Sequence, residues 1–272
     1  MKKLAIIGKN ISYSLSPDIF RMIAELKGLD LSYDIRDIDN SVDIENHIKD
    51  LDGFNITIPY KNAILPCLNE TSPDVKFTDA CNCVTVNNGI RKGVNTDINA
   101  FTKAFIHHIP NYKDYDIVLI GNGGAARAVA ASLINLNITT FQLLGRSSNK
   151  VHSFILKFHK ELQLSEFLER KNKPIIWINS SPVHPSQFTS PLPLQKNDII
   201  YHLSYRFSEK RGSDIIEYNG LDMLINQALV VAEIWFPGLS FSPEDKAKIR
   251  IALAKDAEKK EIYMVKTEEK LW

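Results

Sequence analysis

The sequence predicts an α/β protein of two domains in which most strands run parallel. The chain has 272 residues, and a prior of about 150 residues per domain gives two domains. Strand-like and helix-like segments alternate along almost all of it, which is typical of parallel α/β architecture. The alternation restarts after Pro110-Asn111. We therefore predict a middle domain, 101–221, and an N-terminal α/β domain, 1–100, that is completed by the C-terminal helices of 222–272.

The first domain begins with a predicted buried strand, Leu4–Ile7. Ser16 is predicted to cap the next helix, with Pro17 at the first helical position, because a serine side chain satisfies free N–H groups and proline lacks one. Asn87-Asn88-Gly89 predicts a hairpin turn. The other predicted elements are strands Tyr33–Ile38, Phe54–Ile58, Val84–Val86 and Ile90–Val94, and a helix through Ile98, Phe101 and Phe105.

The second domain is predicted to start with strand Asp116–Ile120, a glycine-rich turn and the alanine-rich helix Arg127–Leu136. Its other predicted strands are Thr139–Leu144, Ile175–Ile178 and Ile199–Tyr201. The helices that complete the first domain are Leu221–Trp235 and a last helix, which Ser242 is predicted to cap and whose first turn carries acidic residues that suit the positive end of the helix dipole.

Composition narrows the class of protein. The formal net charge of +1 gives no reason to expect nucleic acid or an acidic membrane as a partner. The apolar run Leu4–Ile7 is too short for a signal peptide, and no stretch approaches the roughly 20 apolar residues of a membrane span. An odd count of three cysteines fits a reducing compartment, so we predict a soluble, cytoplasmic protein. No second Cys or His pair stands near Cys81-Asn82-Cys83 at ligand spacing. The adjacent His107 and His108 would point about 100° apart on a helix and could not hold one ion together, so no metal site is predicted.

A dinucleotide site is predicted at Gly121-x-Gly123-x-x-Ala126, which follows a predicted strand and opens a predicted helix. The first glycine permits the tight turn, the second lets the backbone approach a pyrophosphate, and the small alanine lets the helix pack on the sheet. The free N–H groups of the helix end suit phosphate. A glycine turn without a ligand is the alternative. The turn predicts a Rossmann-type domain, with cofactor contacts from Gly121, Asn122, Gly123, Gly124 and Ala125.

The residues after the second strand of this domain favour NADP over NAD. NAD-binding folds usually carry an acid here, which holds the ribose 2′-hydroxyl. The sequence instead has Arg146, Ser147 and Lys150 and no carboxylate between Gly145 and Lys150. Two cations and a hydroxyl suit a 2′-phosphate. The alternative is that these are ordinary loop residues.

Five motifs span residues 8 to 227: Gly8–Pro17, Gly53–Lys61, Gly93–Asp97, Gly121–Ala128 and Asn219–Gln227. Together and in this order they resemble the shikimate dehydrogenase family. In that family they are an opening motif, a catalytic-lysine motif, a catalytic-aspartate motif, the cofactor loop and a C-terminal substrate motif. The resemblance implies an NADP-dependent oxidoreductase that interconverts 3-dehydroshikimate and shikimate in the biosynthesis of chorismate and the aromatic amino acids.

The resemblance also implies roles for individual residues. Lys61 and Asp97 match the catalytic pair, and Tyr201 matches a tyrosine that lines the substrate pocket. Ile199 and Gly220 match positions whose backbone meets the nicotinamide end of the cofactor. The substrate carboxylate would be bound by Ser14 and Ser16, and the ring hydroxyls by Thr57, Asn82, Asp97 and Gln227. The lysine would donate the proton that the developing alkoxide needs.

The chain departs from the family pattern at several places, while the residues implied to bind the substrate are all kept. Tyr13 stands where the family usually has histidine. Other differences are Phe20-Arg21 for His-Asn, Ala100 for glycine, Gly145 for asparagine, Asp79–Cys83, where only the alanine and the asparagine are kept, Asn179–His184, and the absence of a proline soon after Tyr201.

Two other functions remain open from the sequence. A quinate or broad quinate/shikimate dehydrogenase would share almost every motif. A non-catalytic dinucleotide-sensing protein could use the same scaffold, although the presence of both Lys61 and Asp97 favours an enzyme. Sequence alone leaves monomer and homodimer equally open.

Overall fold

The computed structural model describes residues 1–170, 173–207, 209–210 and 214–259. The described chain forms two compact units, one made of residues 1–100 and 225–259 and the other of residues 101–224. Numbered in chain order, the helices are α1 Ser16–Lys27, α2 Ile44–Ile48, α3 Pro73–Thr78, α4 Asp97–His108, α5 Gly124–Asn135, α6 Ser148–Phe158, α7 Leu221–Trp235 and α8 Pro243–Lys259. The strands are β1 Lys2–Gly8, β2 Leu31–Asp37, β3 Gly53–Ile56, β4 Glu70–Thr71, β5 Cys83–Asn87, β6 Ile90–Val94, β7 Asp116–Ile120, β8 Thr140–Leu144, β9 Gln163–Glu166, β10 Ile175–Asn179, β11 Ile199–His202 and β12 Ile216–Tyr218.

The first unit contains a mixed six-stranded sheet in the order β2-β1-β3-β5-β6-β4. The strands β2, β1 and β3 are parallel, whereas β5 runs antiparallel to both β3 and β6. The antiparallel pair of β5 and β6 confirms the hairpin predicted at Asn87-Asn88-Gly89. Asn88 and Gly89 have positive φ angles of 50° and 78°, which are those of a tight two-residue turn.

Apolar side chains from both ends of the chain build the core of this unit. Residues 4–8 of β1 are buried, as are Ile19, Phe20 and Ile23 on one face of α1. Trp235, at the end of α7, is 1% exposed and donates a hydrogen bond from Nε1 to the carbonyl of Val84 at 3.0 Å. Burying an indole is favourable only when its N–H finds such a partner. The helix from the C-terminal part thus completes the N-terminal core.

Two local predictions in this unit are wrong. Ser16 is not the N-cap of α1, because Leu15 holds that position and Ser16 is already the first helical residue. The third strand ends at Ile56 instead of Ile58, since the chain turns at Thr57, whose carbonyl accepts from the N–H of Tyr60 at 2.9 Å. The prediction for Ser242 is confirmed, as its Oγ accepts from the N–H of Asp245 at 3.1 Å.

The second unit contains a six-stranded parallel sheet in the order β12-β11-β10-β7-β8-β9. The order reverses between β7 and β10, and such a switch point is where doubly wound sheets bind dinucleotides. Every residue of β10 is buried, as expected for a strand covered on both faces. The Rossmann-type fold predicted for this part of the chain is confirmed, although β9, β12 and α6 were not predicted.

Among the described residues, no helix combines the length and the apolar character that crossing a membrane requires.

Candidate active site

Lys61 and Asp97 are brought together in the first unit. Lys61 lies in the turn that follows β3, and Asp97 is the first residue of α4. The ammonium group of Lys61 contacts Oδ2 of Asp97, and the two side chains are only 15% and 7% exposed. The carbonyl of Lys61 accepts from the N–H of Cys81 at 2.8 Å, which ties the turn to the strand region beside it. The two residues thus form a shielded ion pair next to the end of a parallel strand.

Asn82 holds the carboxylate of this pair. Its Nδ2 donates to Oδ1 of Asp97 at 2.7 Å and to Oγ1 of Thr96 at 2.9 Å, while its Oδ1 accepts from the N–H of Thr96 at 2.8 Å. The backbone donor fixes which end of the amide faces Asp97. Asn82 is itself 3% exposed and held by Asn55, whose Nδ2 donates to its carbonyl at 2.9 Å. One oxygen of Asp97 therefore faces an amide donor and the other faces the lysine.

Ser14 and Ser16 lie at the start of α1 and are both buried. The Oγ of Ser14, one residue before the N-cap Leu15, accepts from the N–H of Ser16 at 3.3 Å. The Ser16 side chain bonds the hydroxyl of Tyr33, and that hydroxyl donates to Oδ1 of Asn55 at 2.8 Å. A hydrogen-bonded path therefore runs from the start of α1 to Asn82.

Thr57 and Gln227 are half-buried residues of the same unit. Thr57 follows β3, where its N–H donates to the carbonyl of Ile7 at 2.9 Å, and its methyl group lies against Gly8. A side chain at Gly8 would collide with Thr57, which accounts for glycine at the end of β1. Gln227 lies on α7, one residue after Asn226, whose amide donates to the carbonyl of Ala100.

Tyr201 belongs to the second unit and packs inside an aromatic cluster. Its ring meets those of Phe101 and Phe105 edge to face, at centroid distances of 5.5 and 6.0 Å. It is 0% exposed, and its hydroxyl has no hydrogen-bond partner among the described residues. Burial, together with the nearby carboxylate of Asp222, raises the pKa of Tyr201, so the hydroxyl stays protonated. Tyr201 therefore packs as a core residue here, and its predicted role in lining the substrate pocket remains a prediction.

The glycine turn predicted to bind the cofactor joins β7 to α5. Gly121 has φ +100°, and a side chain there would meet Oγ of Ser180 at 2.6 Å. A methyl group added at Gly123 would meet no described atom within 4 Å, so the backbone is open to a ligand at that point. Gly123 is the N-cap of α5, and no described side chain caps this end. Free helical N–H groups beside open space fit the phosphates of a dinucleotide. Asn122, Gly124 and Ala125 are partly exposed in the same turn.

The residues predicted to bind the 2′-phosphate follow β8. Arg146 is exposed two residues beyond that strand, Ser147 is the N-cap of α6, and Lys150 is exposed in its first turn. β8 pairs directly with β7, so both loops leave the same edge of the sheet. The first helical turn and the two cations favour an anion here.

The two positions predicted at the nicotinamide end lie at different edges of the sheet. Gly220 follows the carboxyl end of β12, and its N–H donates to the carbonyl of Ser204 at 3.2 Å. Ile199 is buried at the amino end of β11. Dinucleotides bind beyond the carboxyl ends of such strands. The structure therefore supports Gly220 better than Ile199 as a cofactor contact.

Comparisons with known proteins find relatives that match residues of both units. The family model described as the shikimate dehydrogenase substrate binding domain matches residues 6–84. A shikimate dehydrogenase (NADP(+)) from Caldicellulosiruptor bescii is 32% identical over 267 residues, which cover 89% of this chain and 92% of the relative. One from Caldicellulosiruptor saccharolyticus is 31% identical and covers 96% and 100%. The chain belongs to the shikimate dehydrogenase family.

The family prediction made from the five motifs is thereby confirmed. A solved structure of the family has the same fold: a shikimate 5-dehydrogenase from Thermus thermophilus in complex with shikimate, with a TM-score of 0.79 and 24% identity over 94% of this chain and 100% of that one.

Several residues of the site were not predicted. Thr96 and Asn55 hold Asn82, and Tyr33 joins Ser16 to Asn55. Asn55 and Thr96 lie inside two of the five family motifs, so a buried amide or hydroxyl there was a signal. Tyr33 carried none, because an aromatic residue in a predicted strand is most simply a core residue.

The cysteines on either side of Asn82 are buried thiols. Burial raises the pKa of Cys81 to about 12 and also raises the pKa of Cys83. Metal ions and electrophiles react with the thiolate, and these groups are thiols near neutral pH. The residues between α3 and β5 therefore serve packing and the placement of Asn82.

Proposed function

We propose that this chain is an NADP-dependent shikimate dehydrogenase that interconverts 3-dehydroshikimate and shikimate. The observation that carries the proposal is the buried pair of Lys61 and Asp97, held by Asn82, in a chain of this family. The activity and the cofactor predicted from the sequence agree with the names of its relatives, shikimate dehydrogenase (NADP(+)).

Lys61 is the proton donor in ketone reduction. When bound, NADPH supplies the hydride that the C3 carbonyl carbon receives, and the carbonyl oxygen then needs a proton. The Lys61 ammonium group gives up one proton to that oxygen and regains it from solvent, and in alcohol oxidation the transfer runs in reverse. Before the transfer, the same positive charge stabilises the developing alkoxide.

Asp97 holds the ammonium group of Lys61 in place and also binds the substrate. One carboxylate oxygen contacts Lys61, and the other accepts from Asn82 at 2.7 Å. A carboxylate accepts several hydrogen bonds, so Asp97 can also accept from a ring hydroxyl. Asn82, Thr57 and Gln227 supply further polar groups for the ring hydroxyls. Holding the ring in one orientation places the reacting carbon, and such positioning lowers the barrier by a large margin.

The substrate carboxylate is bound at Ser14 and Ser16. Both hydroxyls lie at the amino end of α1, where backbone N–H groups and the helix dipole favour an anion. The Oγ of Ser14 accepts from the N–H of Ser16, which leaves its own proton to be donated. A site for the substrate carboxylate allows the enzyme to prefer an acidic substrate over a simple alcohol.

NADP is held by the second unit. The N–H groups of α5 at Gly123 and Gly124 receive the pyrophosphate, and Arg146, Ser147 and Lys150 receive the 2′-phosphate. The open backbone at Gly123 and the absence of a described side-chain cap on α5 support this assignment.

A panel of substrates and cofactors tests the proposal. We expect the purified protein to reduce NADP+ with shikimate at a kcat/KM at least about tenfold above that with quinate or with NAD+, a difference that corresponds to ~1.4 kcal/mol. A preference for quinate would contradict the substrate assignment. Binding of NADP without turnover of shikimate or quinate would contradict the assignment as an enzyme.

We also propose that the enzyme works in the cytoplasm as a monomer or a homodimer. All three cysteines are free, which supports a reducing compartment. Light scattering coupled to size-exclusion chromatography would decide between the two assemblies, and a larger mass would contradict both.

A further inference from the structure

Glu217 lies at the centre of a polar cluster in the second unit that the proposed mechanism does not use. Its Oε2 contacts Nε2 of His184 at 3.2 Å and Nε2 of His202 at 3.3 Å, and its Oε1 accepts from Nζ of Lys210 at 2.5 Å. The side chain of His202 is 0% exposed and that of Glu217 is 7% exposed. Two imidazoles and a carboxylate this close together are also a possible ligand set for a metal ion.

The hydrogen bonds on the far side of each ring decide between a metal site and a hydrogen-bonded cluster. Nδ1 of His184 accepts from the backbone N–H of Ser186 at 3.1 Å. Nδ1 of His202 meets Nδ2 of Asn179 at 3.2 Å. That amide cannot be reversed, because Oδ1 of Asn179 accepts from the N–H of Ser181 at 3.1 Å.

Both rings therefore carry their proton on Nε2. In neutral imidazole one nitrogen donates and the other accepts. With Nδ1 accepting in both rings, each Nε2–H donates to Glu217, and neither Nε2 lone pair is available to a metal. Burial alone would raise the pKa of Glu217, but the bonds from His184, His202 and Lys210 outweigh it and hold the pKa below its usual range. The cluster is a carboxylate with donors on both oxygens.

The cluster is connected to the predicted nicotinamide end of the cofactor site through the segment that follows β11. Phe207 packs on the rings of His184 and His202, at centroid distances of 5.1 and 4.8 Å. Its carbonyl accepts from Nδ2 of Asn219 at 3.1 Å, so the segment 203–207 is held both at the cluster and at the residue before Gly220.

Gly220 rests directly on this segment. Its N–H donates to the carbonyl of Ser204, and a side chain on Gly220 would collide with the backbone of Leu203. The position of the Gly220 backbone therefore follows the position of residues 203 and 204. Any change at Glu217 that moves the segment also moves Gly220.

We propose that Glu217 is a positioning residue for the nicotinamide half of the cofactor. Its carboxylate accepts hydrogen bonds from His184, His202 and Lys210 and thereby fixes the segment 203–207, against which Gly220 packs. The inference rests on the proposed function, because it takes NADP as the ligand of this unit. Glu217 would thus influence the binding of the cofactor without contacting it.

The test compares Glu217→Gln with Asp198→Asn. Asp198 is also a fully buried carboxylate in this sheet, but it precedes β11 at the opposite edge, where it accepts from Arg170 and from the N–H of Ile175. Glutamine keeps the volume of Glu217 but turns one acceptor into a donor that faces another donor. We expect Glu217→Gln to raise the dissociation constant of NADP about tenfold, and Asp198→Asn to leave it within about twofold.

Adenosine 2′,5′-bisphosphate, which represents the other half of the cofactor, separates positioning from general damage. We expect it to bind the parent and both variants within about twofold, because it has no nicotinamide to place. If Glu217→Gln binds NADP as the parent does, or if Asp198→Asn loses as much affinity, the proposal is overturned. Since the readout is binding, it remains decisive even if shikimate is not turned over.

A second pair of variants covers the case in which Glu217→Gln does not fold. Glutamine at 202 places an N–H donor near the position of Nε2, whereas leucine removes it. We therefore expect His202→Gln to retain NADP affinity and His202→Leu to lose it about as much as Glu217→Gln. Nitrogen NMR of the parent should show the proton of both rings on Nε2. Protons on Nδ1, or stoichiometric binding of Co²⁺ lost in Glu217→Gln, would overturn the proposal.

Discussion

Lys61 and Asp97 lie in a network of side-chain hydrogen bonds, whereas the turn after β7 presents backbone N–H groups to the proposed dinucleotide. In the first unit, Asn82 and Thr96 hold Asp97 through amide and hydroxyl groups that are almost completely buried. In the second unit, the glycine turn provides N–H groups and open space at Gly123. The first site depends on which side chains are present, and the second depends mainly on the absence of side chains.

This difference determines what substitutions can reveal. A single side-chain change in the first unit removes a chemical group and should alter one kinetic constant. In the glycine turn, a substitution adds atoms and disturbs everything bound there. The side chains that can be removed cleanly in the second unit are those near the turn, such as Arg146, and those proposed to hold Gly220 from a distance, such as Glu217.

Lys61→Ala should produce the largest effect. We expect kcat to fall by roughly 10²–10⁴, because a positioned acid or base contributes a factor of that size. The dissociation constant of NADP should not change, since the proposed cofactor site lies in the second unit. Steady-state kinetics and cofactor titration measure the two quantities. A kcat within tenfold of the parent would show that Lys61 does not transfer the proton.

Arg146→Ala should affect the second unit alone. A charge-assisted hydrogen bond contributes roughly 1.5–3 kcal/mol, so we expect NADP affinity to fall about ten- to a hundredfold while NAD affinity barely changes. Titration with both cofactors measures the difference. Equal losses for NADP and NAD would mean that Arg146 does not bind the 2′-phosphate.

Ser14→Ala should raise the KM for shikimate about tenfold, because it removes a hydroxyl that serves a charged group. Since the Ser14 hydroxyl also accepts from the N–H of Ser16 at the start of α1, the thermal stability of the variant must be measured alongside. The control is an analogue without the carboxylate, which should react poorly with the parent and lose nothing further in the variant. A matching loss for the analogue would show that Ser14 only shapes the start of the helix.

The pH dependence of stability should show the smallest effect and should arise in the second unit. Burial lowers the pKa of His202 below 6.5, so its unfolded form takes up a proton more readily as the pH falls through that value. The lowered pKa of Glu217 acts in the same direction below 4.5. We therefore expect the free energy of unfolding to decrease as the pH is lowered from about 7.5 to about 5.5.

Denaturant titrations of His202→Gln and of His152→Gln, an exposed histidine on α6, measure the share of this slope that belongs to His202. The slope should flatten in the first variant and stay unchanged in the second. The same slope in both variants would place the titrating group elsewhere.

The sequence allowed the fold class and the placement of most elements to be predicted, because their signals are local. Asn88-Gly89 sits in the predicted hairpin turn, and the range of α7 is the one predicted. The site was harder, because contacts between distant residues leave no local pattern. Tyr33 reaches Asn55 across 22 positions, and His184 reaches Glu217 across 33. Ser16 was misplaced by one residue, because α1 begins at Ser16 itself and the apolar Leu15 holds the N-cap position.

The N-terminal unit is interrupted by the whole of the other unit. The indole of Trp235 bonds Val84, 151 positions earlier, and Lys2 donates to the carbonyl of Trp235 across 233 positions. During synthesis on the ribosome, the first hundred residues must therefore wait for α7 before their core can close, while 101–224 are available as one uninterrupted segment. Because contacts this distant along the chain form slowly, we expect the second unit to fold first and the pair of Lys61 and Asp97 to be assembled last.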